Sequence, residues 1–306
     1  MVRYSDALHI QETGINPRHE QSLLEQFPPV GQLMLEQPTV VLDKFGLIVL
    51  WYLPGAINET IQENDMMAAT KMMSNHLCKS ISRTAAKKEK WRTHESNFRT
   101  SEHGLTLGCI NLSPGWFLQG HPAPKFHPEI SATLKQDGST ICQAIRWPAV
   151  LAATALRVMH GSLYWSSLTT QLGLGLWADN NQFKDMGTCL RQWVSSFTVL
   201  AVMCNHCSPL HRDSQSLAQW FDIITSIGDY GPVQMKLPNI GIEITYNSGV
   251  MVGTSGRIVR HGVNRVNGDR VSWVWYMRDD VHKFVNVPRG DYSKYKSIIA
   301  DAFCCS

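Results

Sequence analysis

Apolar positions change rhythm near residue 193 of this 306-residue chain. Beyond it come short runs rich in β-branched and aromatic residues, each ended by turn residues: "SFTVLAVMC", "WFDIITSI", "VQMKL", "IGIEITY", "VMVG", "RIVRH" and "RVSWVWYM". Seven such runs at close spacing predict a β-sandwich or barrel over residues 194–282. Before it the period is mixed. "TVVLDKFGLIVLWYL" (39–53) reads as two strands around a turn at Asp43 to Gly46, and residues 58–81 read as one long helix with Asn58 as its N-cap. Residues 147–172 are helical in pattern, 180–193 more weakly so, and the Gly-, Pro- and His-rich stretch 104–138 reads as long ordered loops. Residues 1–37 are polar and turn-rich, as for an extension or surface wrap. The expected class is α+β: helices and loops over 38–193, a compact β-unit over 194–282 and a tail over 283–306, with 38–306 as one domain.

A hydrophobic content of 43% allows a substantial core and argues against disorder. The net charge of +3 is uneven, since residues 1–66 hold nine acidic against three basic side chains and the remainder carries the excess of bases. That asymmetry suits a polyanionic partner. No basic and then apolar leader opens the chain, and its most apolar stretch, "FGLIVLWYLPGAI", is broken by Pro54, so a soluble protein with no membrane partner is expected. Eight cysteines without a repeating spacing point to a reducing compartment. Cys204 and Cys207 in "CNHC" have no second pair at comparable spacing to close a zinc site, and read as buried or incidental thiols.

"SPLHRDSQS" (208–216) places His211 and Asp213 two apart, so on a strand both side chains face one point while Arg212 faces away. In "RIVRHGVNRVNGDRVSWVWYM" (257–277), His261 ends one run and Arg270 opens the next across a turn at Gly268 and Asp269. A hairpin there brings Arg270 near His261. Ser272 then shares a face with Arg270, and Trp273 and Trp275 point the other way. Two imidazoles and one carboxylate on one face of a metal form the site of non-haem Fe(II) oxygenases, with open positions for a co-substrate and dioxygen. An arginine fork, helped by a serine hydroxyl, suits the far carboxylate of a keto-diacid. Asn205, Arg257 and Arg260 are candidates for supporting groups.

These residues resemble the Fe(II)- and 2-oxoglutarate-dependent oxygenases, in which an H-x-D pair, a distal His and an Arg about ten residues on lie on a double-stranded β-helix. A narrower resemblance covers residues 195–282. "HRD" (211–213), "IGDYG" (227–231), "LPNIGIEITYNSGVMV" (237–252) and "VRHGVNRVNGDRVSWVWYM" look like the TET/JBP-like oxygenase domains common in fungi. The chain departs from that pattern at Pro232, usually Gly, and at Ser216, often Asp.

The resemblance implies a jelly-roll core and an iron held by His211, Asp213 and His261. It implies 2-oxoglutarate held by Arg270 and Ser272, dioxygen as oxidant, and a methyl group on DNA as the target. The expected partner is double-stranded DNA carrying 5-methylcytosine first and N6-methyladenine next, acted on by a monomer in the nucleus. A base inside a duplex must be flipped out to reach a buried metal. The segment 79–100, with seven Lys or Arg against two Glu, is the candidate for holding the backbone through Lys87, Lys88, Lys90, Trp91, Arg92 and Arg99. Asp229 and Tyr230 are candidates for the substrate pocket, and Trp91, Trp116, Phe117, Trp220 or Tyr230 for stacking on the base. Two other readings remain: a 2-oxoglutarate oxygenase acting on RNA, protein or a small molecule, and a nucleic-acid-binding protein without catalysis.

Overall fold

In the computed structural model, which describes residues 1–8, 15–82 and 91–303, two sheets face each other and helices cover one of them. The strands are β1 (Leu33–Leu35), β2 (Thr39–Leu42), β3 (Ile48–Leu53), β4 (Gly108–Leu112), β5 (Val199–Cys204), β6 (Ser208–His211), β7 (Asp222–Ile227), β8 (Gln234–Leu237), β9 (Ile242–Thr245), β10 (Val250–Thr254), β11 (His261–Val263) and β12 (Val271–Tyr276). One sheet has the order β1-β9-β8-β11-β6 and the other β2-β3-β10-β7-β12-β5-β4. The pair β1 and β9 is parallel, and the other strand pairs are antiparallel. From β5 to β12 the chain passes repeatedly between the sheets, leaving β5, β7, β10 and β12 in the larger one and β6, β8, β9 and β11 in the smaller.

The period-two pattern assigns each face of the larger sheet. On β12, Trp273 and Trp275 pack with Leu200, Val202 and Ile223 against the helices Arg146–Met159 and Gly161–Asn180, through Leu156, Met159 and Leu163. The opposite face, with Leu50, Tyr52, Ile224 and Val252, packs on Met235, Leu237 and Ile244 of the smaller sheet. Two hydrophobic layers therefore flank the larger sheet. The stretch "VSWVWY" reads as buried on both faces because it is.

Several expected elements differ, each for a local reason. The helix expected over 147–172 is two helices broken at His160, whose Nδ1 accepts from the Leu163 amide and caps the second. The helix expected over 58–81 opens in wide π-type turns over Ile61–Met67 and re-forms after Met73, while Met66, Ala69, Met73 and Leu77 keep one apolar face buried. Met72, on the other side of that helix, is exposed. The stretch expected as loops contains β4, which closes the edge of the larger sheet. "RIVRH" is a turn and no strand: the Ser255 carbonyl accepts from the Ile258 and Val259 amides, and the strand begins at His261. β6, absent from the seven expected runs, holds Pro209 and lies at a sheet edge, where a missing amide is tolerated. The first residues also fold: Asn16 caps the helix Pro17–Gln26, and β1 joins the smaller sheet.

Trp273 is fully buried and its Nε1 donates to Thr70 Oγ1 at 3.1 Å. Trp273→Ala should cost about 3–5 kcal/mol of unfolding free energy, read from the urea midpoint.

Candidate metal centre

His211 ends β6, Asp213 follows two residues later beyond the strand, and His261 opens β11, directly opposite His211 in the sheet register. The three residues present one ligand atom each within 4.8 Å of one another. Nε2 of His211 lies 3.8 Å from Oδ1 of Asp213, and Nε2 of His261 lies 3.8 Å from Oδ2. Both rings are buried and oriented alike. Nδ1 of His211 donates to the Pro209 carbonyl at 2.8 Å, and Nδ1 of His261 to the Val259 carbonyl at 3.0 Å, which leaves both Nε2 lone pairs facing Asp213. Burial, and then the neighbouring His261, lowers the His211 pKa to about 3, so its ring is neutral at ordinary pH, as a ligand must be.

Asp213 is steadied from both sides. Its amide donates to the Gly256 carbonyl at 2.9 Å, and Arg92 Nη2 donates to its Oδ1 at 2.5 Å. Burial opposes its ionisation, but the Arg92 charge and the two imidazoles outweigh that and hold the carboxyl below its usual range. Gly256 makes room for it: a Cβ there would sit 2.5 Å from Asp213 Oδ2 and 2.7 Å from Asp222 Oδ2. Asp222 is buried beside Asp213, and burial with that neighbouring charge pushes its pKa well above the usual range.

The triad opens into a cavity of about 460 Å³ between the sheets, within the ~300–1,000 Å³ of small-molecule sites. Arg270, Ser272, Val274 and Tyr276, alternate residues from the start of β12, line its wall. Arg270 is 4% exposed. Its Nη2 donates to the His206 carbonyl at 2.5 Å, its amide donates to Asn205 Oδ1 at 2.7 Å, and its guanidinium lies 5.9 Å from the Tyr246 ring centre. Among the described residues no carboxylate forms an ion pair with it. A buried cation so placed calls for an anion from outside.

Sequence and structure diverge in detail. Arg270 and His261 lie on different sheets and meet across the cavity, not along a hairpin, because the chain changes sheet between β11 and β12. Ser272 donates its hydroxyl hydrogen to the Thr225 carbonyl at 3.0 Å, and Tyr246 Oη lies 3.5 Å from its oxygen. Trp91 is buried in the cavity wall against His211, ring centres 4.4 Å apart, and the Arg92 guanidinium lies 4.3 Å from the Trp91 ring centre. Arg99 spends its guanidinium on the Val266 and Gly268 carbonyls and on Glu102, so it braces a loop. Asp229 and Tyr230 do not line the cavity. Asp229 is exposed, and the Tyr230 hydroxyl is held by Ser226 Oγ and the Tyr246 carbonyl. Phe117 and Trp220 are core residues, and Trp116 bridges to Glu129. Lys87, Lys88 and Lys90 lie outside the described residues. Asn111, Tyr276 and Arg278, which also line the cavity, were not foreseen, although Tyr276 continues the alternation that singled out Arg270 and Ser272.

No family model and no curated protein matches the chain. Among solved structures, NgTET1 in complex with 5mC DNA is similar at 13% identity and a TM-score of 0.42, over 94% of this chain and 99% of that one. A 2OG-Fe(II) oxygenase-family oxidoreductase from Burkholderia pseudomallei is similar at 15% identity and a TM-score of 0.23, over 30% of this chain and 51% of that one. Values of that size establish neither a family nor an activity.

Three buried imidazoles away from the triad set the acid limit of the fold. Burial lowers His160, His206 and His282 each to about 4. The unfolded chain takes up protons near pH 6.5 that the folded chain refuses, so stability should be full above that pH and fall steadily towards pH 4. Urea midpoints at pH 7.5, 5.5 and 4.5 should decrease in that order.

Proposed function

We propose that this protein is an Fe(II)- and 2-oxoglutarate-dependent dioxygenase that oxidises a methylated base in double-stranded DNA, converting 5-methylcytosine to 5-hydroxymethylcytosine, with N6-methyladenine as the second candidate. The observation that carries the reading is the pairing, in one cavity, of a His-Asp-His triad with a buried arginine that no carboxylate among the described residues pairs with. The donors fit ferrous iron: two neutral imidazoles and one carboxylate on one face leave further positions free. When bound, the metal with 2-oxoglutarate and dioxygen would supply the oxidising power to hydroxylate an unactivated methyl group, releasing succinate and CO2.

The protein's own part is positioning. His211, Asp213 and His261 hold the metal, and the Nδ1 bonds to backbone carbonyls fix the ring orientations. Arg270 takes the far carboxylate of the co-substrate, with the Tyr246 ring 5.9 Å from its guanidinium and the Tyr246 hydroxyl next to Ser272 on the same wall. The eight strands β5 to β12 supply a rigid frame, which we read as the double-stranded β-helix expected from the sequence. Tyr276 and Asn111, whose side chains bond each other at 3.3 Å, and Arg278, paired with Asp280, also line the cavity, and a flipped base could be held by its edge there. Arg92, about half exposed at the mouth, is placed to meet a phosphate. The resemblance of residues 195–282 and the basic, aromatic segment 79–100 favour DNA over other methylated substrates. No helix among the described residues is long and apolar enough to cross a membrane, and a monomer acting in the nucleus completes the proposal.

Incubation with Fe(II), 2-oxoglutarate and duplexes bearing 5-methylcytosine or N6-methyladenine should give a hydroxylated base by mass spectrometry, with one succinate per oxidation. His211→Ala and Asp213→Ala should abolish it, and Arg270→Ala should raise the 2-oxoglutarate requirement roughly ten- to a hundred-fold. Succinate release that no DNA stimulates would move the substrate to RNA, protein or a small molecule. Unaltered bases with no succinate would contradict the enzyme itself.

A further inference from the structure

A second buried polar cluster lies behind the triad, where nothing in the proposed chemistry reaches. Arg212, between the two ligands of "HRD", is 6% exposed, and its guanidinium is directed at Glu20, Tyr4 and the backbone of residues 257 and 258. Its Nε donates to Glu20 Oε1 at 2.6 Å and its Nη2 to Glu20 Oε2 at 3.0 Å, a two-point ion pair with a carboxylate that is itself 4% exposed. The same guanidinium donates to the Arg257 carbonyl at 3.2 Å, to the Ile258 carbonyl and to the Tyr4 hydroxyl. Arg260, next to His261, places Nε 3.8 Å from Oε2 of the same carboxylate. Asn239 closes the cluster, donating to the Ile258 carbonyl at 3.0 Å and accepting from the Arg260 amide at 2.8 Å.

The geometry is directional. Glu20 fixes Arg212; Arg212 fixes the carbonyls of residues 257 and 258; the next carbonyl, that of Val259, accepts from His261 Nδ1 and sets its ring. On the other flank, the Gly256 carbonyl holds the Asp213 amide. One carboxylate, on a helix remote in sequence, thus spans both ligand segments. Buried ion pairs rarely repay their desolvation as stability alone, so a specific arrangement is the better account of one kept here.

We infer that Glu20, with Tyr4, is a positioning residue of the metal centre: the N-terminal segment acts as a clasp that holds Arg212 and Arg260, and through them His211, Asp213 and His261, in metal-binding geometry. The inference rests on the triad being a metal site. Groups that orient ligands typically contribute ten- to a hundred-fold in metal affinity.

Titrating Co(II) into the metal-free full-length chain, with visible absorption and calorimetry as readouts, tests it. Wild type should bind one equivalent with a ligand-field spectrum. Glu20→Gln should bind roughly ten- to a hundred-fold more weakly with an altered spectrum, and Tyr4→Phe should fall between. The double variant Glu20→Leu with Arg212→Met replaces the pair by apolar groups of similar size, so it should regain thermal stability while Co(II) binding stays weak. A double variant that is folded and binds Co(II) as wild type does would overturn the inference and leave the metal site standing. If wild type binds no metal, the site itself fails and the clasp with it.

Discussion

A guanidinium shut away from water, with no carboxylate among the described residues to pair with it, is the constraint around which this molecule is arranged. Burying a charge is costly unless something pairs with it, and Arg270 has one carbonyl and the face of a tyrosine. Its position is nonetheless tightly set. Asn205, with a left-handed φ of 51°, accepts from the Arg270 amide and donates to Asp269 at 2.7 Å, which pins the entry to β12. Arg270 and the triad line the same cavity, which is why we propose that an anion from outside completes it.

The layers serve that cavity. The larger sheet is stiffened by helices on one face through the two tryptophans of β12, so the residues between them, from Arg270 to Tyr276, stand in a row on the other. The smaller sheet supplies the imidazoles, which lie opposite each other because β6 and β11 are paired in register at His211 and His261. The two imidazoles from one sheet and Arg270 from the other meet only because the chain crosses between sheets. Behind the ligands, the Glu20 and Arg212 pair ties in a segment almost two hundred residues away.

Much of this was legible in the sequence, and the limits are instructive. Alternation named Arg270 and Ser272 as one face and Trp273 and Trp275 as the other, and the two-residue spacing of His211 and Asp213 correctly turned Arg212 aside. What failed were features decided by tertiary partners. Nothing local shows that "RIVRH" is a turn, since its β-branched residues suit a strand until the Ser255 carbonyl captures two amides. The polar N-terminus looked like a wrap because its elements are short, although Asn16 followed by Pro17 is a helix-start signal. Arg99, Asp229 and Tyr230 carry the right chemistry for a ligand, yet their donors and acceptors are spent on backbone or open to solvent. Nothing local shows that Trp91 packs on His211 or that Arg92 donates to Asp213, contacts across more than a hundred residues.

The central claim is that the triad and Arg270 hold one co-substrate between them. Calorimetric titration of 2-oxoglutarate into the protein without oxygen tests it most directly, with and without a redox-inert divalent metal such as Mn(II). The account predicts binding that needs the metal, is lost in Asp213→Ala and is weakened in Arg270→Ala. Binding of equal strength without metal, or untouched by the loss of Arg270, would contradict it.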